Sequence, residues 1–307
     1  MAIFPDKLCP GDTIGLIAPS SPVAPERVDR CIALLESMGY RVKAGEGLKQ
    51  NLHEYLAGPD EVRAADVNRM FADPQVKAIF CIRGGYGSGR LMDKLNYDVI
   101  RRNPKIFVGY SDITNLSMAF YSLCGLVTYH GPMVSSNMLE HYDAYTRECF
   151  EGVLNMDEEY EYHNYDDAAL VTLTGGKASG ELIGGNLALL VNLLGTFYAP
   201  DVAGKILFIE DIGESLPRAN RMFDQLFYTG IMDKVAGVLI GDFSDWSYAG
   251  EKEYTMMDLI RERFTNCGVP VIAGLSCGHC YPTGTLPMGA YCEMDADRKR
   301  IRFVRQE

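Results

Sequence analysis

The sequence predicts an α/β protein built around a parallel β-sheet that is covered by helices. Short apolar stretches of strand length alternate with segments that are apolar at helical spacing. This β-α-β-α order is typical of parallel sheets. The chain has 307 residues, of which 47% are hydrophobic, so it can form two domains, or one large one, with a sizeable core.

The first half of the chain carries the alternation most clearly. Its predicted elements, in order, are strand 13–18, helix 26–38, strand 40–42, helix 61–71, strand 76–82, helix 90–95, strand 105–108 and helix 114–120. Ser20, Gly84 and Ser111 lie in turns that follow three of these strands. Ligands of parallel sheets bind beyond the carboxyl ends of the strands, so these turns are expected to border the functional site.

The composition changes between residues 139 and 169, where Glu, Asp and Tyr dominate without a long apolar period. We interpret this stretch, 139–169, as a linker between domains at 1–138 and 170–307; the alternative is a solvated helix with an edge strand. The second domain contains further predicted elements: helix 187–194 with Asn186 as its N-cap, strand 205–210, helix 217–228, strands 238–240 and 269–272, and a hairpin of 290–294 and 300–304.

Charge and cysteine content narrow the class of protein. The formal net charge of −12 argues against a general nucleic-acid-binding or anionic-membrane surface. No apolar run approaches the roughly 18 residues that span a bilayer, and no signal peptide is visible. Nine cysteines, an odd number, indicate reduced thiols rather than a disulfide framework. We therefore expect a soluble, cytoplasmic protein with neither nucleic acid nor membrane as a partner.

A serine occupies the turn between strand 105–108 and helix 114–120. In this position Ser111 has its hydroxyl lifted clear of the backbone, and the next amide points into the same space at the positive end of a helix. That geometry suits a nucleophile whose oxyanion is bound by backbone N–H groups. On this segment alone a simple helix N-cap is the alternative, for which serine is also favoured.

A serine nucleophile requires a general base and a carboxylate that orients it. Among the five histidines, His279 is the candidate base, because it lies in a Gly/Cys loop just after a buried strand. His130 is a candidate accessory group. The other three lie in polar surroundings and are expected to be solvated: His53, His141 and His163.

Three carboxylates compete for the orienting role. Glu210 ends the apolar strand 205–210 directly, and a carboxylate there is unfavourable unless it is hydrogen-bonded or functional. Asp211 and Glu214 follow in the same loop, and either could instead cap the helix that starts near residue 217. The position of Glu210 favours it as the orienting carboxylate.

Two other motifs allow different chemistry. Cys277 and Cys280 form a C-x-x-C, but Pro282 blocks the helix that a thioredoxin-like motif requires, and no second ligand pair completes a zinc site. The glycine-rich stretch 84–89 lies between a strand and a helix, as a phosphate-binding loop does, but it lacks the Lys-Ser/Thr of a P-loop. Its glycines equally suit a loop that brings backbone N–H groups to a reacting carbonyl.

Several segments, taken in order, make a resemblance to one family specific. The sequence resembles the LD-carboxypeptidase family of serine peptidases, which includes muramoyltetrapeptide carboxypeptidases and microcin-immunity peptidases, over nearly its full length. The segments that carry the resemblance are Gly11–Gly15, Ala18–Pro22, Arg83–Leu91, Gly109–Thr114, His130–Met133, Gly180–Leu187, Ile209–Glu214 and Gly278–His279.

The resemblance implies a catalytic triad of Ser111, Glu210 and His279, with the oxyanion bound by the backbone amides of Gly85 and Asp112. It also implies a flavodoxin-like N-terminal domain with a parallel sheet and a smaller, mixed β/α C-terminal domain. A homodimer is implied as well, and neither a metal nor another cofactor.

The function that the resemblance implies is hydrolysis of the L-D amide bond in murein peptides, releasing terminal D-alanine from cytoplasmic tetrapeptide in cell-wall recycling. Arg83, or Arg218 near Glu214, is the candidate that binds the substrate carboxylate, although either arginine could form a structural ion pair. Within the family the alternative is cleavage of an aminoacyl-nucleotide conjugate, for which Trp246 could stack on the base. A non-catalytic α/β binding protein is the alternative from another class.

Overall fold

The computed structural model describes residues 2–248 and 253–306. Its strands are β1 (Thr13–Ile17), β2 (Arg41–Ala44), β3 (Val76–Cys81), β4 (Ile106–Val108), β5 (Thr128–His130), β6 (Glu159–Tyr162), β7 (Val171–Thr174), β8 (Lys177–Asn186), β9 (Ile206–Ile212), β10 (Gly237–Ser244), β11 (Val271–Ala273), β12 (Leu286–Met288), β13 (Tyr291–Asp295) and β14 (Arg300–Val304). Its α-helices are α1 (Pro25–Ser37), α2 (Asp60–Ala72), α3 (Tyr97–Arg102), α4 (Thr114–Cys124), α5 (Ala144–Leu154), α6 (Leu187–Leu193), α7 (Leu216–Tyr228) and α8 (Met256–Phe264). None of the helices in these ranges is long and apolar enough to cross a membrane.

Six of the described strands form the first sheet, in the order β12-β5-β4-β3-β1-β2. Neighbouring strands are parallel except β12, which pairs antiparallel with β5. Strands β1, β3 and β4 are almost continuously buried, as parallel sheets require. The predicted α/β fold with a parallel N-terminal sheet is confirmed.

Helix α1 shows how the local sequence produces the elements of this layer. Pro25 stands in its first turn, where a missing N–H has no cost. Val28, Cys31 and Leu35 recur at helical spacing and are fully buried, and burial of a leucine side chain contributes roughly 1.5–3 kcal/mol. The helix ends before Gly39, whose φ of +90° turns the chain toward β2.

The second sheet contains eight of the described strands, in the order β6-β14-β13-β8-β9-β10-β11-β7. Its centre, β8-β9-β10-β11, is parallel, and antiparallel strands flank the centre on both sides. The predicted terminal hairpin is present as β13 and β14. Asn186 caps α6 as predicted, because its side chain accepts a hydrogen bond from the Leu189 N–H. The second half is therefore mixed, as the sequence predicts.

The acidic segment 139–169 contains regular structure, α5 and β6. Strand β6 pairs antiparallel with β14 at the edge of the second sheet. Arg300 and Arg302 of β14 form ion pairs with Glu161 and Glu159. The acidic composition thus belongs to an edge strand with basic neighbours. In the structure, this segment is therefore a helix followed by an edge strand.

One strand connects the two sheets. Strand β12 follows the loop that carries His279 and joins the first sheet beside β5, with Leu286 opposite His130. The chain then returns at once to the second sheet, where the backbone of residues 289–290 exchanges hydrogen bonds with β8. Strand β12 is three residues long and contains Pro287, so the sequence shows no strand pattern there.

Candidate active site

Ser111 lies in a strained turn at the carboxyl end of β4. Its φ of +63° falls in the left-handed region, which residues other than glycine rarely adopt, and it begins a short 3₁₀ turn that leads into α4. Gly109 permits this turn, because a Cβ there would approach the Ile113 side chain to 2.9 Å. Ser111 is not an N-cap residue, because the N-cap of the 3₁₀ turn is Tyr110 and that of α4 is Ile113. The turn therefore resembles a nucleophile elbow more than a helix cap.

Glu210 and His279 meet at the carboxyl edge of the second sheet. The Glu210 Oε2 atom lies 2.7 Å from His279 Nδ1, and Glu210 is fully buried in β9. Gly278 permits this approach, because a Cβ there would lie 2.7 Å from the same Oε2 atom. An ionised carboxylate only accepts hydrogen bonds, so the proton of the neutral imidazole is on Nδ1. Nε2 is then unprotonated and can act as a base.

Backbone hydrogen bonds hold the loop that carries His279. The Asp242 N–H donates to the Cys277 carbonyl at 2.9 Å, which ties the loop to β10. The Thr283 hydroxyl donates to the Gly278 carbonyl at 3.1 Å. The loop between β11 and β12 is therefore fixed on both sides of the imidazole.

Aromatic contacts join the Ser111 turn to the imidazole. The ring of Tyr110, the residue before Ser111, packs edge-on against His279 with ring centroids 4.9 Å apart. His130 packs behind, with its centroid 5.5 Å from that of Tyr110 and 5.1 Å from that of Phe208. Burial lowers the pKa of His130 to about 4, so this imidazole is neutral near pH 7. The structure thus places the Ser111 turn and His279 side by side.

Carboxylates dominate the electrostatics of His279. Burial by itself lowers its pKa, but the charge and hydrogen bond of Glu210 raise it, and Asp211 and Asp242 raise it further. The net result is a pKa above the ordinary value of 6.5. The imidazolium form is therefore stabilised by its surroundings.

The other two candidate carboxylates have different partners. Asp211 accepts a hydrogen bond from the Asn186 side chain at 2.8 Å, at the start of α6. Burial, followed by the charge of Glu210, raises the pKa of Asp211 to about 6. The Glu214 carboxylate lies 2.9 Å from the Arg218 guanidinium, four residues along the chain. Of the three candidates, Glu210 is the one whose hydrogen bond reaches the imidazole.

The glycine-rich loop 84–89 lies against Ser111. A Cβ on the first residue of the loop would lie 3.1 Å from the Ser111 hydroxyl oxygen. Gly85 has a φ of +112° and no space for a side chain, because the Ser21 hydroxyl would lie 2.3 Å from its Cβ. Within the described part of the chain, the backbone N–H groups of Gly85 and Asp112 have no acceptor. Free donors are therefore available on both segments that border Ser111.

A cleft of about 670 Å³ opens beside this loop, and Tyr86, Asp112, Asn192 and Arg218 are among the residues that line it. Arg83 is not among them; it is exposed, and its guanidinium reaches the Pro22 carbonyl at 3.4 Å. Two of these lining residues, Asn192 and Tyr86, were not among the site residues predicted from the sequence. The sequence does carry a signal for Asn192, since it is the one polar residue in the apolar run 187–194.

The cysteines of the C-x-x-C are thiols in a loop that does not continue into a helix. Burial raises the pKa of Cys277 well above its ordinary value and that of Cys280 to about 12. Such thiols are poor nucleophiles and poor metal ligands near pH 7. No cluster of three or more His, Cys, Asp or Glu side chains suited to a metal ion occurs at residues 2–248 or 253–306.

A serine turn with free backbone donors, on the first sheet, thus lies next to a buried Glu–His pair on the second sheet, and a hydrolase that uses a serine nucleophile requires groups of these kinds. Residues 14–131 match the LD-carboxypeptidase N-terminal domain, and residues 179–294 match the LD-carboxypeptidase C-terminal domain. The chain belongs to this family of peptidases.

Individual relatives agree with this assignment. The chain is 41% identical over 297 residues to a probable murein peptide carboxypeptidase of Bacillus subtilis, covering 96% of this chain and 92% of the relative. The fold matches the microcin C7 self-immunity protein MccF of Escherichia coli, solved in complex with glutamyl sulfamoyl guanosine, with a TM-score of 0.91, 29% identity and 98% of each chain covered. It also matches muramoyltetrapeptide carboxypeptidase from Oxalobacter formigenes, with a TM-score of 0.83, 30% identity and 95% and 97% of the two chains covered.

Proposed function

We propose that this protein is a serine LD-carboxypeptidase in which Ser111, Glu210 and His279 form the catalytic triad. The observation that supports the triad most is the 2.7 Å hydrogen bond between Glu210 Oε2 and His279 Nδ1 beside the Ser111 turn. A carboxylate in this position holds the imidazole in one tautomer and stabilises its cation.

In the proposed reaction, His279 Nε2 takes the proton of the Ser111 hydroxyl as the Oγ atom attacks the scissile carbonyl. The oxyanion of the tetrahedral intermediate accepts hydrogen bonds from the N–H groups of Gly85 and Asp112. The imidazolium then gives its proton to the leaving amine, which leaves an acyl-enzyme. Water attacks the acyl-enzyme in the second half-reaction, and His279 again acts first as base and then as acid.

The proposed substrate is murein tetrapeptide, and the proposed product is free D-alanine. The relatives named for murein peptides support this choice, and the cleft beside the glycine loop has room for a short peptide. Arg218 lines the cleft and is paired with Glu214, so we assign the terminal carboxylate of the substrate to Arg218, with Glu214 orienting its guanidinium. Arg83 is the alternative.

We propose further that the protein acts in the cytoplasm, in cell-wall recycling, as a homodimer of two-domain subunits. Two aromatic side chains are strongly exposed, Phe197 at 78% and Tyr228 at 83%, and contacts between subunits commonly cover such groups. Sedimentation velocity of the purified protein tests the dimer: a single species with the mass of one chain would contradict it.

The substrate is tested by incubating the protein with a panel of muropeptides and aminoacyl sulfamoyl nucleosides and following the products by mass spectrometry. We expect loss of one D-alanine from the tetrapeptide, with Ser111→Ala as the inactive control. Cleavage of the nucleoside conjugates alone would assign the microcin-immunity function, which the fold match to MccF favours as second candidate. Trp246 gives that candidate little support, because it is half-buried against the core. Binding without cleavage of any compound would indicate a non-catalytic protein.

A further inference from the structure

The glycine-rich loop 84–89 is held between two buried and oppositely charged side chains that the proposed mechanism does not use. One is the Asp112 carboxylate, 2% exposed, and the other is the Arg63 guanidinium, which has no exposed surface. Four of the six loop residues are glycine, so the loop backbone has wide conformational freedom unless something restrains it.

The Asp112 side chain contacts the loop directly. Its Oδ2 atom accepts hydrogen bonds from the Ser88 N–H at 2.8 Å and from the Ser20 hydroxyl at 2.6 Å. The Ser88 hydroxyl donates in turn to the Asp112 backbone carbonyl. Burial raises the pKa of Asp112, and the hydrogen bonds from Ser20 and Ser88 oppose that rise. Asp112 therefore ties the Ser111 turn both to the glycine-rich loop and to the loop after β1.

Arg63, on α2, holds the same loop from the other side. Its guanidinium donates to the Gly87 carbonyl at 2.8 Å and to the Pro19 carbonyl, and it forms an ion pair with Asp60. A buried arginine is stable only when its donors have partners, and here two of those partners are backbone carbonyls of the loops that border Ser111. The loop is thus held at two adjacent residues: the Arg63 guanidinium binds Gly87, and the Asp112 carboxylate binds Ser88.

We propose that the Asp112 side chain is a positioning residue that sets the spacing between the two oxyanion donors, its own N–H and that of Gly85, while Arg63 braces the loop from behind. This inference rests on the proposed function, since it takes both N–H groups as donors to the oxyanion. Asp112 thus has two roles. Its backbone supplies the first donor, and its carboxylate holds the loop that carries the second donor, the N–H of Gly85. Displacing one donor by about 1 Å can cost about 10²-fold in rate without removing any contact to the ground-state peptide.

The test is a comparison of Asp112→Ala, Asp112→Asn and Ser20→Ala with the wild type on murein tetrapeptide. We expect Asp112→Ala to lower kcat by about 10² with KM nearly unchanged, since removal of a single oxyanion donor costs about 10²–10³. Asp112→Asn keeps one acceptor oxygen and should recover part of that loss. Ser20→Ala removes one of the two hydrogen bonds to Oδ2 and should lower kcat least. If Asp112→Ala does not fold, the kcat of Asp112→Asn and Ser20→Ala still tests the proposal.

Asp66→Ala is the matched control. Asp66 is also a buried carboxylate that holds a loop, because it accepts the N–H groups of Glu46 at 2.9 Å and Gly47 at 2.8 Å, but its loop follows β2, away from Ser111. We expect the Asp66 variant to lower the melting temperature while kcat stays near the wild-type value. Equal losses of kcat at equal stability for Asp66→Ala and Asp112→Ala would overturn the proposal.

A second readout separates transition-state binding from ground-state binding. A peptide boronic acid forms a tetrahedral adduct with the serine and places an oxygen in the oxyanion site, whereas the tripeptide product does not. Asp112→Ala should weaken the boronate by about the factor lost in kcat/KM and leave the tripeptide affinity unchanged; equal weakening of both ligands would refute the positioning role. If wild-type protein binds the boronate but cleaves no murein peptide, the proposed substrate fails, and the boronate affinities of the variants still test the positioning role.

Discussion

The two sides of the candidate site contribute different kinds of group. The first sheet contributes backbone geometry: a serine held at a φ of +63° and two free N–H donors, one on the serine turn and one on the glycine-rich loop. The second sheet contributes charged side chains: Glu210 fully buried and His279 hydrogen-bonded to it. On the first side, close packing and the hydrogen bonds of Asp112 and Arg63 hold the backbone, whereas on the second side the charged groups are themselves the catalytic candidates. Substitutions on the two sides should therefore differ in one respect: those at Glu210 or His279 should also change the pH dependence of the reaction, whereas those at Ser111 should not.

The largest effect is expected at Ser111, on the first side. Ser111→Ala removes the nucleophile and keeps the Cβ in the same turn, so kcat should fall by about 10⁶ while the fold and peptide binding are retained. The measurements are kcat from D-alanine release, peptide affinity by calorimetry and the melting temperature. Residual activity above about a hundredth of wild type would show that Ser111 is not the nucleophile.

The second effect is expected at Glu210, on the other side. Glu210→Gln keeps the size of the side chain but removes the charge that stabilises the imidazolium, so kcat should fall by up to about 10⁴. Asp211→Asn and Glu214→Gln are the matched controls, because one carboxylate lies at the start of α6 and the other pairs with Arg218. They should act mainly through stability or KM. A collapse of kcat in the Glu214 variant with Glu210→Gln nearly unaffected would reassign the third member of the triad.

A smaller effect is expected in the pH profile. His279 must be neutral to accept the serine proton, so kcat/KM should rise with pH through a pKa above 6.5. Since the charge of Glu210 raises that pKa, Glu210→Gln should move this rise, the acidic limb of the pH profile, to lower pH. The raised pKa also means that protonated His279 stabilises the fold fully below pH 6.5, and that this contribution is lost as pH rises through the folded-state value.

The control for the pH profile is Asp211→Asn, because the pKa of Asp211, about 6, lies in the same window. If His279 produces the limb, it should persist in this variant with at most a small shift. A limb that vanishes in Asp211→Asn and stays in place in Glu210→Gln would assign the titration to Asp211 instead.

The smallest effect is expected at the paired cysteines. The double variant Cys277→Ser, Cys280→Ser should retain kcat, because both thiols are protonated near pH 7. A serine hydroxyl at position 277 can also replace the hydrogen bond from the Cys277 thiol to the Gly284 carbonyl. Metal chelators should likewise leave kcat unchanged, with the untreated enzyme as control. Inactivation by a chelator, or by the double substitution with the fold intact, would contradict a site that works through the triad alone.

The sequence was most informative where local pattern determines structure. The strand before Ser111 and the cap at Asn186 could be predicted because apolar period and turn chemistry act over a few residues. The ion pairs of Glu159 and Glu161 with β14 could not be predicted, because their partners lie about 140 residues away along the chain. The acidic composition therefore favoured a linker where the structure has an edge strand. The roles of Asp112 and Arg63 were hidden for the same reason: each holds a backbone that only the fold brings near.

Strand β12 makes assembly of this site a late event in the synthesis of the chain. The five parallel strands of the first sheet are complete by residue 130, yet the strand that joins the loop of His279 to that sheet, β12, begins only at Leu286. A chain still on the ribosome, or one cut before β12, therefore has Ser111 in place while the loop of His279 is not yet joined to the first sheet. We expect forms of the chain that lack β12 to be inert, so hydrolytic activity should appear only once β12 has joined the first sheet.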